Sequence, residues 1–305
     1  MIVEAILLTI ITASTPLVLA AIGELVCERA GVLNLGVEGM MVMGAVGAFT
    51  AAHATGSPWI GMMAGMITGA VFSLLFGFLT LTLVANQVAT GLALTILGQG
   101  LSAMIGEGLV GKPGVKMPSL DIPVLSDIPV IGPLLFDQDI FFYLSIAIVA
   151  GVSWFLFKTR RGLVLRSVGD NHASAHALGI NVIGIRYLAV MFGGACAGLA
   201  GAQLSLVYTP QWSENMAAGR GWIALALVVF ASWRPWGVLV GGYLFGAVTI
   251  GQLHAQAFGI AIPSQFLSAL PYVVTVLVLV IISQNRRMTL INTPASLGKS
   301  FVPDR

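Results

Sequence analysis

Apolar residues run along this chain in long blocks separated by short polar breaks, without the alternation that marks strands. A membrane-spanning helix needs about 20 mostly apolar residues. Residues 2–22 form the first such run. A polar, glycine-punctuated stretch follows at 23–36, holding Glu24, Glu28, Arg29 and Asn34. Further apolar runs cover 37–52, interrupted only by Glu38, then 59–84, 88–105, 140–157, 187–207, 221–233, 237–253 and 263–283. Gly56-Ser57-Pro58, Asn86-Gln87 and Arg234-Pro235 punctuate them, as glycine and proline dipeptides mark turns. Residues 106–139 differ: Pro113, Pro118, Pro123, Pro129 and Pro133 forbid a continuous helix there, so the segment reads as a long external loop. The pattern predicts an all-α, polytopic transmembrane helix bundle of eight to ten spans.

Composition removes the soluble alternative. Of the 305 residues, 57% are hydrophobic and only 9% charged, where a soluble domain carries about 25%. Mean hydropathy is +0.97. The partner for most of the perimeter is therefore the lipid bilayer. A net charge of +2 gives no basis for nucleic-acid binding. The first run carries Glu4 as its only early charge, so it lacks the basic start of a signal peptide and reads as a retained helix. Residues 1–283 form one transmembrane domain and 284–305 a polar, frayed tail.

Charge position sets orientation. Lys158, Arg160, Arg161 and Arg166 cluster within the 158–186 loop, and Arg286 and Arg287 lie in the tail. Lysine and arginine concentrate in cytoplasmic loops. The 158–186 loop and the C-terminus are expected inside, the 106–139 loop outside, and walking back by hydropathy puts the N-terminus outside. Glycines four apart, at Gly61, Gly65 and Gly69, at Gly194 and Gly198, and at Gly237 and Gly241, place small residues on one helix face for close packing.

Three constellations are candidates for function. In the first, 27–41, ionisable groups and glycine-rich backbone sit near membrane depth, where both are tolerated only beside protein or water. Asn34 and Glu38 are one turn apart and, with Arg29, are candidates to line a solute pathway; a Glu28–Arg29 or Arg29–Glu38 pair that only fixes the loop fits the same residues. In the second, Asp170 or Asn171 is a plausible N-cap, an alanine-rich turn holds His172 and His176, and Leu178 precedes Gly179 at the position where glycine ends helices. This is a short helix inside the basic loop, suited to docking a soluble partner. The two histidines have metal-ligand spacing but no further ligand nearby, so no metal is expected. The third, 208–222, carries Tyr208, Trp212 and Trp222 at the outer interface, where aromatics act as belt anchors or contact a solute or its delivery protein.

Cys27 and Cys196 lack any metal or redox spacing and read as packing thiols. The chain has no phosphate-binding Gly-x-x-x-x-Gly-Lys loop, no His-Glu-x-x-His and no plausible Ser/His/Asp set. It is expected to be no enzyme and to need no cofactor.

Glu28-Arg29-Ala30-Gly31-Val32-Leu33-Asn34-Leu35-Gly36-Val37-Glu38-Gly39-Met40-Met41 resembles the signature of the integral membrane permeases of ABC importers for branched-chain amino acids, ribose and nucleosides. Val168-Gly169-Asp170-Asn171 with Ala177-Leu178-Gly179-Ile180 is similar to that family's ATPase-contacting loop, and Gly219-Arg220-Gly221-Trp222 to its late-span signature. The likeness covers about 2–283 and is nearest the nucleoside and simple-sugar branch. It implies a permease subunit in the cytoplasmic (inner) membrane, working with an ABC ATP-binding subunit, a second permease (a sister or itself) and an extracytoplasmic solute-binding lipoprotein. It makes Asp170, Asn171, His172, His176, Leu178 and Gly179 the coupling helix, and it puts ATP hydrolysis in the partner. The histidines depart from the family pattern. An ion-coupled secondary transporter is the alternative, with Glu38 beside the glycine-rich break as its hint.

Overall fold

The computed structural model describes residues 2–121, 131–257 and 292–303, together with positions 123, 126, 128, 129, 266, 269, 270, 273, 274, 276, 277 and 280. The span expected at 263–283 and the arginines at 286 and 287 lie outside the fully described stretches.

Helix α1, Ile2–Arg29, is followed by α2, Val37–Thr55, and α3, Pro58–Gly77, which continues as a π-helical turn, Phe78–Thr82. Helix α4 is Gln87–Gly106. The proline-rich segment then forms a small antiparallel pair, β1 Ser119–Asp121 with β2 Asp137–Asp139, around a short α5, Ile131–Leu135. Helix α6, Ile140–Lys158, leads into two short helices, α7 Arg160–Asp170 and α8 His172–Ala177. Helix α9, Val182–Gln203, ends in a second π-helical turn, Leu204–Tyr208. Helices α10, Arg220–Phe230, and α11, Pro235–Ala257, complete the described bundle.

Six of these are long and apolar enough to cross a membrane, among the described residues. Helix α2 lies in the bundle centre instead of on its rim: 13 of its 19 residues are buried, and the exposed ones lie near its C-terminal end. Helix α10 has only 11 residues, about 16 Å at 1.5 Å per residue, roughly half the hydrocarbon thickness.

Side-chain caps set several of the helix starts. Asn86 accepts from the Ala89 amide, and Asp139 from the amides of Phe141 and Phe142. Burial pushes the Asp139 carboxyl above its usual range, opposed by those amides. Thr159, Asn171 and Asn181 cap α7, α8 and α9 in turn, each satisfying an amide that the first helical turn leaves free.

The glycine ladder forms the central crossing. A side chain on Gly198 of α9 would overlap the Gly65 carbonyl of α3, one on Gly69 would overlap Gly194, and one on Gly44 of α2 would overlap Gly198. Three backbones therefore meet where dispersion contacts replace the missing side chains.

The polar stretch at 23–36 breaks later than its composition suggests. Helix α1 continues through Glu24 and Glu28 to Arg29, because those side chains find partners. Glu24 accepts the Asn34 amide at 3.0 Å, and Glu28 accepts the Trp233 indole N–H. The tail also departs from expectation. Within 292–303 it is packed, not frayed: the amide of Ser296 donates to the Gly169 carbonyl at 2.9 Å and that of Gly298 to the Gly31 carbonyl at 3.2 Å. Gly31 has φ +83, and a side chain there would press on the Arg186 guanidinium, so glycine is required at this turn.

Candidate functional site

Two sites stand out: one inside the bundle, and one on the face where α1, α6 and α10 end.

The inner site is the start of α10. Gly219, at φ +84, turns the chain so that the first amides of α10 point at α2. Glu38 meets them in the first turn of α2. Its Oε1 accepts from the Gly219 amide at 2.7 Å and its Oε2 from the Gly221 amide at 2.6 Å. A carboxylate on the positive end of a helix dipole is a favourable pairing, and helix-end amides in an apolar bundle must be satisfied. Glu38 is 1% exposed. A side chain on Gly221 would lie 2.6 Å from the Glu38 Cα, which excludes anything larger than glycine. From there α10 descends to the basic face, where the Arg29 Nε and Nη2 donate to the Trp233 carbonyl at 3.2 and 2.9 Å. Helix α10 is therefore a half-helix pinned at both ends by the 28–38 segment.

Asn34 is fully buried and shapes the turn before α2. Its Oδ1 accepts the Gly36 amide at 3.0 Å and its Nδ2 lies 3.4 Å from the Met40 sulfur. The Leu33 amide donates to Gln87 Oε1 at 2.8 Å and Thr95 Oγ1 to the Leu35 carbonyl at 3.0 Å, tying the turn to α4. Asn34, Glu38 and Arg29 thus belong to one framework, each with partners inside the chain. Arg29 forms hydrogen bonds with backbone carbonyls, including that of Asn292 at 3.1 Å, and not with Glu28 or Glu38.

The 208–222 segment differs from a surface belt. Trp212 is buried, against Gly106 of α4. Arg220 lies over the Tyr208 ring at 4.8 Å and donates to the Met216 and Ala217 carbonyls. Asn215 and Ala218 hold left-handed φ values of +53 and +49, an arrangement non-glycine residues adopt at some cost. Gln211, Ser213, Glu214 and Asn215 are exposed, and Asn215 reaches Gln99 of α4 at 3.5 Å.

On the basic face, Asn171 is the cap of α8, its Oδ1 accepting the Ser174 amide at 2.9 Å, while Asp170 is the last residue of α7. Gly179, at φ +80, donates to the His176 carbonyl and Ile180 to the Ala175 carbonyl, the paired bonds of a glycine-terminated helix end. Only Ala175 of α8 is buried, and Leu178 is 81% exposed. His172 and His176 both place ring edges on Phe301, at centroid distances of 5.2 and 5.3 Å.

Trp233, Gln87, Arg186 and Phe301 are participants that local patterning does not single out, because each acts on a residue far away in the chain. Cys27 and Cys196 are free and buried between α1 and α9, the Cys27 thiol 3.2 Å from the Ala189 carbonyl.

The fold is thus a multi-span helical bundle, with the half-helix α10 packed inside it and the short exposed helix α8 on its basic face. The chain belongs to the family described as the branched-chain amino acid transport system permease component, whose model matches residues 6–283. It is 39% identical to a protein named as a glucose ABC transporter permease of Haloferax volcanii, over 95% of both chains. It is 36% identical to the nucleoside ABC transporter permease protein NupC of Lactococcus lactis and 34% to the guanosine permease NupQ of Bacillus subtilis, each over 87% of this chain and 88% of the relative. A solved inward-facing structure of a metal-chelate type ABC transporter shares the fold, with a TM-score of 0.50 at 15% identity over 91% of this chain and 85% of that one. The chain is thus an ABC permease of the sugar and nucleoside kind, a transport component and not an enzyme. That membership sets the ion-coupled alternative aside.

Proposed function

We propose that this chain is the transmembrane subunit through which an ATP-driven importer moves a nucleoside, with a simple sugar as the other solute class. Helix α8 is its coupling helix. The observation that carries the reading is α8 itself: a helix capped at both ends by its own sequence, with four of its six residues exposed and Leu178 projecting just beyond its end. An exposed leucine on an otherwise polar face is suited to burial against a partner.

In this mechanism, closure of the ATP-binding subunits on ATP displaces α8. Helices α7 and α9, joined to it by one residue and by four, carry the motion into the bundle. Two permease subunits, this chain and a sister or second copy, rock between outward-open and inward-open states. An extracytoplasmic solute-binding lipoprotein delivers the solute. Glu38 and Asn34 border the pathway by fixing the half-helix and the turn before α2 respectively, and Arg29 closes the inner end. The basic 158–186 loop and the C-terminus lie on the cytoplasmic side of the inner membrane. The nucleoside choice is supported by the two relatives named for nucleoside and guanosine transport.

The test is uptake of radiolabelled guanosine, uridine, glucose and ribose, in cells with and without this chain and with and without ATP depletion. ATP-dependent nucleoside uptake that disappears with the chain is the expected result. Loss of glucose uptake alone replaces the solute and keeps the permease. Uptake that survives ATP depletion removes the coupling role.

A further inference from the structure

Helix α8 has six residues, far below the roughly 12 needed for a helix to hold itself in water. Its caps satisfy its ends but bury little. Support comes from a small apolar cluster separate from the main core. Val168 of α7, Ala175 of α8 and Val182 of α9 form it, with Ile180, Ile185 and Phe301 packed against them. Phe301 is the one member that arrives from far along the chain, and it meets the exposed side of α8 through both histidines. His172 and His176 are four residues apart, hence on one helix face, and the Phe301 ring touches both edge-on at interplanar angles of 60° and 64°.

The backbone leading to Phe301 is fastened at each step. Arg29 Nη1 holds the Asn292 carbonyl, the Ser296 amide and hydroxyl hold the Gly169 and Asp170 carbonyls, and the Gly298 amide holds the Gly31 carbonyl. Arg186 then joins three elements at once. Its Nε donates to the Ala30 carbonyl after α1, its Nη1 to the Lys299 carbonyl, and its Nη2 lies 3.2 Å from His172 Nδ1.

We propose that residues 292–303 are a strap that positions α8 for its ATP-binding partner, with Phe301 as the positioning residue and Arg186 as its anchor. The proposal rests on reading α8 as the coupling helix. A lever of six residues transmits displacement only if it is rigid against the helices it must move. The strap supplies that rigidity and links it to the end of α1, which also holds α10 through Arg29. Phe301 and Pro303, with His176, Gly179 and Ile180, line a cavity of about 280 Å³ beside α8, so the strap also shapes the surface next to Leu178.

The experiment uses the complete importer, co-expressed and purified through its ATP-binding subunit. Phe301→Ala is expected to raise amide hydrogen exchange across 172–180 by at least about tenfold and to lower ATP hydrolysis per assembled complex by at least about fivefold, with the complex still co-purifying. Phe301→Tyr, which keeps the ring, is expected to restore both. Should Phe301→Ala be absent from the membrane, Phe301→Leu, which keeps apolar bulk without a ring edge, takes its place with the same expectation. Unchanged exchange, or faster exchange with unchanged hydrolysis per complex, overturns the strap. Leu178→Asp tests the underlying reading separately: it is expected to stop this chain from co-purifying with the ATP-binding subunit. Full retention of that subunit by Leu178→Asp overturns the coupling helix, whatever the Phe301 variants do.

Discussion

Truncating Glu38 leaves the amides of Gly219 and Gly221 facing an apolar bundle with no acceptor. A buried donor without a partner costs about 1–3 kcal/mol, so Glu38→Leu is expected to lower thermal stability in detergent and membrane abundance together. Glu38→Gln keeps one acceptor oxygen and is expected to fall between the wild type and Glu38→Leu. Equal melting temperatures for all three exclude the cap. His172 gives a second prediction at this scale. Burial, followed by the charges of Arg186 and Lys299, holds its imidazole below the usual value. A depressed histidine disfavours its own protonation in the folded chain. The stability it contributes is therefore complete above its unfolded value and is lost as pH falls from there through the lower folded value. Charging Nδ1 would set a second cation against the Arg186 guanidinium. ATP-driven uptake is expected to decline on the acid side, and His172→Gln, which still offers Arg186 an acceptor, to flatten that part of the profile relative to the wild type. That Glu38 and Asn34 stand out as polar groups among apolar runs was legible in the sequence, and both are buried and hydrogen-bonded within the chain. Their partners were not: Glu38 and Gly219 are 181 residues apart, and no local periodicity encodes a bond of that span.

At the scale of elements, α8 behaves as its sequence pattern predicts, because caps act within three or four residues. Asn171→Ala removes the Ser174 bond and is expected to destabilise α8 by about 1 kcal/mol. Gly179→Pro cannot adopt the φ of +80 and is expected to uncouple transport more severely, in both cases with normal membrane insertion. Uptake and ATP hydrolysis measured on membranes with matched permease content check this; unchanged values for both variants remove α8 from the coupling path. The long helices were equally legible, and α4 and α6 start within a residue of their expected limits. Helix α10 was not: residues 221–233 have the hydropathy of a span, yet the helix stops after 11 residues, because its depth is set by Glu38 and Trp233 and not by its own composition. The same reason explains why α1 outruns its apolar block. Glu24 and Glu28 would end a lone transmembrane helix, but here distant amides and an indole satisfy them.

At the scale of the molecule, the two faces are defined by what meets there. The C-terminal end of α1, the α7–α8 pair and residues 292–303 share one face, bound together by Arg29, Arg186 and Gly31. The opposite face holds the first turns of α1 beside β1 and β2, where Leu8 and Thr12 share a cavity with Lys116, Ser119 and Asp137. Helix α1 therefore runs from one face to the other as a single candidate span, unbroken at 23–29. Only the absolute direction comes from charge. With the basic residues in the cytoplasm, Ser174→Cys is expected to react with a membrane-impermeant maleimide in inverted vesicles and not in intact cells, whereas Ser119→Cys is expected to react in intact cells. Cys27 and Cys196 are buried and give little background. Because the two positions report opposite faces of one bundle, labelling of both from the same side contradicts the crossing of α1. Reversal of both together keeps the bundle and inverts it in the membrane, and α8 then faces away from every source of cytoplasmic ATP.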